Sequence, residues 1–433
     1  MKKRIYITFS LLIILAFFSG YLISNIKDGT STKTISESTR YTTGVNIEKF
    51  GAKSVEDSPG FDSREEIQAA IDSGAKEIYI PFGKTYEISI NSQTYDGKGT
   101  GIGLKLHDNL RIYGGGTIKA KANTGGSFAL LANTNNSIKN FVIEGVTIDG
   151  NSDNSKAGSR RSNLVLFGAE NCRFLNVTSV NSPYVGLMMR GNGGKKNAIK
   201  GSIVENSGYI GIQAQKHDGI IISKNKVYKS RDNAYDIEGN DLKGGAINKG
   251  TGEKVIITNN IADGCRTGIF IESTGRVIVT GNHIFNTTNG GFYMNRMNSG
   301  SFYNVVSDNE FINEDHPGKY IGGMIANSSG KSMIHHNVFK GFLVGIETRS
   351  KATNLVIDHN YFSEISQYLI YPAAANYSLV KSEIGINYYE EAQANGFPRT
   401  TPTNSAKYPN RIFNVSVTPA KSLETNDKLS DKQ

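Results

Sequence analysis

The chain has no tryptophan, only two cysteines and only nine prolines in 433 residues. The two cysteines, Cys172 and Cys265, fall several of the repeats described below apart. That is beyond disulfide reach, so two free, buried thiols are expected. No nucleic-acid module is present either, because the basic residues are scattered and no recognition motif occurs. GTGIG near Gly99 and the run Gly114 to Gly116 mimic phosphate loops, but neither lies between a strand and a helix with an acidic partner downstream. The histidines of HDNL, EDHPG and MIHHN have no second ligand at metal spacing on a shared face, which argues against zinc.

What the chain does have is glycine, 48 residues of it, and a repeating register. Glycine suits turns that need positive φ. An asparagine recurs in SKNKV (Asn225), TNNIA (Asn260), TGNHI (Asn282), SDNEF (Asn309), HHNVF (Asn337) and DHNYF (Asn360), at spacings of 35, 22, 27, 28 and 23 residues. A period of 22 or 23 with insertions marks a solenoid, whose coils bury their apolar side chains only by stacking. Each buried Asn amide can then donate to the equivalent oxygen of the next coil, leaving few polar groups unsatisfied.

A second column runs in step with the first. Gly or Ala leads an alternating strand at Gly186, Gly211, Ala234, Gly268, Gly291, Gly323 and Gly345, continuing at Tyr368. Alternation is the period of a strand with one buried face. Coils of this size exceed the roughly 18 residues of three hexapeptide units. The expected fold is therefore all-β, a right-handed parallel β-helix of roughly ten coils, preceded by a short capping helix. That helix is FDSREEIQAAIDSG: Ser63 as N-cap, Glu66 completing a capping box, Ile67, Ala70 and Ile71 on one face, and Gly74 at the end.

The ends of the chain read differently. Lys2, Lys3 and Arg4 precede an apolar run from Ile5 to Ile23, with no clear small-x-small cleavage site, so residues 1–25 are expected to be a signal peptide or membrane anchor. This predicts an exported protein, anchored in the cell envelope or secreted. Residues 26–44 read as a Ser/Thr-rich linker, 45–390 as the β-helix, and 391–433 as a polar, disordered tail in which RIFNVSV offers one further strand. The net charge of +9 would help retain a polyanion, and is equally consistent with a generally cationic soluble surface.

The stretches VNIEKFGAKS, EEIQAAIDSGAKEIYIPFGKTYEIS, LKLHDNLRIYGGGTIKA and NFVIEGVTIDGN resemble the opening of the pectate-lyase superfamily of right-handed β-helices, which includes glycoside hydrolases and phage tailspikes. The resemblance spans residue 45 to about residue 375. It implies the fold and a polysaccharide partner, as monomer or homotrimer, and says little about reaction type. One departure is SVEDSPGFDSR, where an acidic DG-x-x-DDT stretch is common in the family. The resemblance further implies that the Asn column lies between the second and third strands of each coil. The Gly-led strand is then the first, whose sheet usually carries the carbohydrate groove.

If the residue after each Gly points inward, the outward positions are Met188 and Arg190, Gln213 and Gln215, Asp236 and Glu238, Phe270 and Glu272, Tyr293 and Asn295, Ile325 and Asn327, and Glu347 and Arg349. Asp236, Glu238 and Glu272 are the candidate catalytic carboxylates. Arg190, Gln213, Gln215, His217, Phe270, Tyr293, Asn295 and Arg296 are the candidate substrate contacts. Two residues along a strand span about 6.8 Å and neighbouring coils about 4.8 Å, which brackets the carboxylate separations of retaining and inverting glycosidases. The same three carboxylates offer oxygen ligands for Ca²⁺. A lyase would need a cation and a base instead, for which Arg190, Lys216, His217 and Arg296 are the candidates. Uronate epimerisation shares that proton abstraction, but the chain has no DPHD tetrapeptide of the mannuronan-epimerase kind. A non-catalytic polysaccharide-binding or export-assisting β-helix is the competing class. Two long coils, GNDLKGGAINKGTGEK after Glu238 and INEDHPGKY before Gly323, are expected to flank the groove.

Overall fold

The computed structural model describes residues 44–90, 101–124, 128–217, 219–239, 255–272, 274, 276–295, 303–326, 331–349, 352, 354–373, 382–389 and 418–419. The N-terminal segment, RIFNVSV and the insertion after Glu238 therefore lie outside the described residues. No helix among the described residues is long and apolar enough to cross a membrane.

Each coil contributes three short strands, and like strands stack in parallel into three sheets. A representative coil runs Thr267–Glu272 in sheet 1, Val277–Thr280 in sheet 2 and His283–Phe285 in sheet 3, then enters the next coil at Gly290–Asn295. Among the described residues the sheets hold 11, 13 and 13 strands. Parallel pairing in register puts identical positions of successive coils on top of one another, so the core is built from rows. In sheet 3, Phe311 stacks on Phe339 at 5.1 Å and Phe339 on Phe362 at 5.3 Å, all fully buried. Rows of Ile and Val from sheet 2, among them Ile222, Ile257 and Val279, fill the adjoining wall.

The asparagine column forms as expected, between the second and third strands of the coils from Asn225 onward, with Ser202 and Val177 at the equivalent place in the two coils before. Asn260 Nδ2 donates to Asn282 Oδ1 at 2.9 Å and to the Ile222 carbonyl at 2.9 Å, while its own Oδ1 accepts from both the side chain and the backbone N–H of Asn225 at 3.0 Å. The pattern repeats through Asn309, Asn337 and Asn360 and extends one coil further, to Asn387. Every amide proton and oxygen in the column thus has a partner inside a buried turn, which a β-helix of this width otherwise leaves orphaned. Cys172 and Cys265 are buried and unpaired, and burial pushes both thiols up to about 11.

Two local expectations are corrected. The helix occupies Arg64–Asp72 and buries Ile67, Ala70 and Ile71, but the capping box is not made. The Ser63 hydroxyl instead exchanges hydrogen bonds with the Lys53 backbone, the Ser63 N–H goes to the Glu87 carbonyl, and the free Arg64 N–H is taken by the Asp62 carboxylate at 3.2 Å. The second correction is one of register. The small-residue column runs through Gly322, not Gly323, because Gly291 lies against the Gly322 carbonyl and Gly322 against that of Gly345. Gly323 takes the inward place opposite Phe292, whose ring would stand 2.2 Å from any Cβ there. Ile325 is consequently fully buried, and Met324 and Ala326 hold the positions that had been expected of Ile325 and Asn327.

Candidate active site

The outer face of sheet 1 carries two rows. The first, in Cα register, runs Met188, Gln213, Asp236, Phe270, Tyr293, Met324 and Glu347. The second runs Arg190, Gln215, Glu238, Glu272, Asn295 and Ala326. Between them the inward residues Tyr235, Ile237, Ile269 and Ile271 belong to the core. A one-residue slip would exchange the faces, and the pairing of this stretch leaves no slip.

Glu238 and Glu272 are half-buried neighbours on adjacent coils of the second row. The Glu238 carboxylate accepts from Gln215 Nε2 at 2.5 Å and from Gln213 Nε2 at 3.4 Å. Glu272 accepts from Asn295 Nδ2 at 2.8 Å. Amides thus hold the two carboxylates from opposite sides, Gln213 and Gln215 from the preceding coil and Asn295 from the following coil. Phe270 and Tyr293 pack edge to face beside them, ring centroids 5.1 Å apart. Arg190 sits over the Phe167 ring at 5.9 Å.

Two candidates behave differently from expectation. Asp236 does belong to the outer row, yet it is only 3% exposed. Its Oδ2 accepts from Asn233 Nδ2 at 2.9 Å and its Oδ1 is buried without a hydrogen-bond partner. Burial, and then the charge of Glu238, raise this carboxyl well above the usual range, more than the Asn233 bond lowers it. Asp236 is therefore a covered carboxyl whose charged form is disfavoured, and not a group that touches solvent. His217 was expected to meet substrate and is instead buried at 2% exposure. Its Nδ1 accepts from Asn197 Nδ2 at 3.1 Å and its Nε2 donates to the Met189 carbonyl at 2.6 Å. Burial lowers its pKa to about 4, so it is a neutral structural imidazole at the end of the strand Ile212–His217. Arg296 lies outside the described residues. A Ca²⁺ ion held jointly by Asp236, Glu238 and Glu272 does not fit this arrangement, because Asp236 turns to Asn233, and no group of three His, Cys, Asp or Glu among the described residues could hold a metal ion.

Sequence reasoning missed a groove on the turns that lead into sheet 1. A cavity of about 740 Å³ is lined by Arg160, Tyr184, Tyr209, Arg231, Asp232 and Arg266, together with glycine, serine and proline backbone. Tyr184 and Tyr209 stack with centroids 4.9 Å apart and planes within 11°. The signal was present as an aromatic two residues ahead of Gly186 and Gly211, but only stacking of the coils makes it a surface.

This three-sheet coil with its Asn column defines a right-handed parallel β-helix of the pectate-lyase-like type. The family model described as "right handed beta helix region" matches residues 127–298 and 232–384, and the chain belongs to that family. Among solved structures, the A-module of a mannuronan C-5 epimerase from Azotobacter vinelandii is similar at 16% identity over 82% of this chain and 98% of that one, with a TM-score of 0.66. The tailspike of Escherichia coli bacteriophage HK620, in complex with a pentasaccharide, is similar at 14% identity over 81% of this chain and 67% of that one, with a TM-score of 0.62. At these identities the likeness is one of fold.

Proposed function

We propose that this protein is an exported enzyme that cleaves a polysaccharide by hydrolysis, with Glu238 and Glu272 as its catalytic carboxylates. The observation that carries the reading is their pairing in register on adjacent coils of an exposed sheet face. Backbones one coil apart lie about 4.8 Å from each other, close to the roughly 5 to 5.5 Å at which retaining glycosidases hold their two carboxyls. Glu238, with amide donors from Gln213 and Gln215, is the nucleophile: it attacks the anomeric carbon as Glu272 gives its proton to the departing glycosidic oxygen. Glu272, then a carboxylate, takes a proton from water, whose oxygen releases the sugar from Glu238. Gln213 and Gln215 position Glu238, and Phe270 and Tyr293 offer aromatic surface to the sugar. The fold relatives support a carbohydrate ligand, since one is an epimerase named for mannuronan and the other holds a pentasaccharide. Export rests on the basic and apolar N-terminus alone.

Elimination is the second reading, and the burial of His217 weighs against it by removing one candidate base. The test is a panel of acidic and neutral polysaccharides incubated with wild type and with Glu238→Gln. New reducing ends without ultraviolet absorbance, lost in the variant, support hydrolysis. An absorbing product would establish a lyase, and binding with no cleavage would establish a carbohydrate-binding β-helix.

A further inference from the structure

We propose that the groove on the turns entering sheet 1 is a binding subsite for an acidic polysaccharide, with Arg160 and Arg231 taking the sugar's negative charges and Tyr184 and Tyr209 carrying its ring. This rests on the reading of the neighbouring carboxylates as a glycan-cleaving centre and names the substrate class that centre receives.

The charge in the groove is of one sign once internal pairs are removed. Arg266 is neutralised by Asp232, its Nη1 lying 3.0 Å from Asp232 Oδ1. Arg160 and Arg231 are exposed, line the same cavity and have no ion-pair partner among the described residues. An adjoining cavity of about 410 Å³ shares Gly158, Ser159, Pro183 and Gly208 with the first and adds Lys156 and Lys229. Lys156, Arg160, Lys229 and Arg231 thus line one continuous depression. A concave surface lined by one sign focuses the field and concentrates the opposite charge. The guanidinium fork in particular matches a carboxylate with two parallel hydrogen bonds.

The tyrosines make the depression a place for a ring and not merely for an ion. They are tied to one another by the ladder bond from the Tyr209 N–H to the Tyr184 carbonyl at 2.9 Å, and Tyr209 remains 37% exposed. A stacked, backbone-anchored pair offers contact area at small entropic cost. The column continues, since the Asp232 N–H bonds the Tyr209 carbonyl at 2.8 Å and the Arg266 N–H bonds that of Asp232 at 3.0 Å. Aromatic and charged groups therefore follow one another at the coil pitch of about 4.8 Å, as a row of binding positions along the solenoid.

The subsite lies at the start of the strand whose far end carries Glu238. Arg231 and Asp232 lead directly into the strand Asn233–Glu238. Burial first, then the charge of Asp232, raise the Tyr209 hydroxyl above its ordinary range.

The experiment measures binding by titration calorimetry to Glu238→Gln, with size-matched oligosaccharides of polygalacturonate, alginate, dextran sulfate and neutral dextran. Acidic chains are expected to bind at least about tenfold more tightly than dextran, with the advantage shrinking as salt rises. Arg160→Ala with Arg231→Ala should lower acidic binding by about tenfold or more, leave dextran unchanged and leave the melting temperature unchanged, since both side chains are exposed. Preference for the uronates over dextran sulfate identifies carboxylate as the recognised group, and the reverse identifies sulfate. Equal binding of dextran, or acidic binding undiminished in the double variant, overturns the subsite. Cleavage by wild type keeps the two readings apart. A neutral glycan cut in a Glu238-dependent way sinks the subsite alone, Arg-dependent acidic binding without any cleavage sinks the hydrolase alone, and binding of no glycan sinks both.

Discussion

Glu238 and Glu272 face the same way on adjacent coils, held in parallel register by the sheet, and each is steadied by amides from the side away from the other. A β-helix delivers such a pair without loops, because the ladder that stacks the core also stacks whatever stands on its outer face.

Removal of one member should stop turnover and spare the fold. Glu238→Gln keeps shape and loses proton transfer and nucleophilicity, so the rate on a confirmed substrate should fall by at least about 10² to 10⁴. Because the side chain is half-buried and outside the core, the melting temperature should stay within a few degrees. Unchanged turnover would remove Glu238 from the mechanism.

Asp236 should make its presence known through pH. Its carboxyl is protonated in the folded chain up to a pH well above the ordinary value, so its contribution to stability is complete below the unfolded pKa of about 3.9 and is lost as pH rises toward the folded one. Asp236→Asn removes that dependence. The variant should gain on wild type as pH climbs above about 4, in melting curves taken from pH 4 to 8. A wild type that gains on the variant over this range would contradict the neutral carboxyl.

His217 works in the opposite direction. With its pKa depressed to about 4 in the folded chain, it favours folding fully above the unfolded value of about 6.5 and loses that contribution as pH falls. The loss between pH 7 and 4 should approach about 3 kcal/mol. Side-chain nitrogen NMR should show a neutral ring protonated on Nε2 from pH 7 down to about 5, with the second proton arriving only near pH 4. An imidazole titrating near 6.5 would mean that the ring is solvated.

The asparagine column predicts a large cost for a small change. Asn282→Ala takes the acceptor from both the backbone N–H and the side-chain amide of Asn260. Two buried donors without partners cost roughly 1 to 3 kcal/mol each, so urea unfolding should show a loss of about 2 to 6 kcal/mol. A loss below 1 kcal/mol would mean that water replaces the missing oxygen.

Much of this was legible in the residues. The spacing of Asn225 through Asn360 is a property of coil length, and a solenoid writes its coil length directly into the chain, so the fold, the ladder and the free thiols follow from periodicity. The outward placement of Asp236, Glu238 and Glu272 follows from alternation along single strands. Where two glycines stood together, alternation had no means of choosing between Gly322 and Gly323. The ring of Phe292 made the choice, and it comes from the coil below.

What only the tertiary structure decided is which outward side chains meet solvent and which distant residues become neighbours. Asp236 and Glu238 share a face two residues apart, yet one is covered while the other is half-exposed, because burial depends on the coils above and below. Likewise Arg160, Tyr184, Tyr209 and Arg231 come from successive turns some 20 to 25 residues apart in the chain. They form one groove only because parallel stacking shortens each of those separations to a single coil pitch of about 4.8 Å.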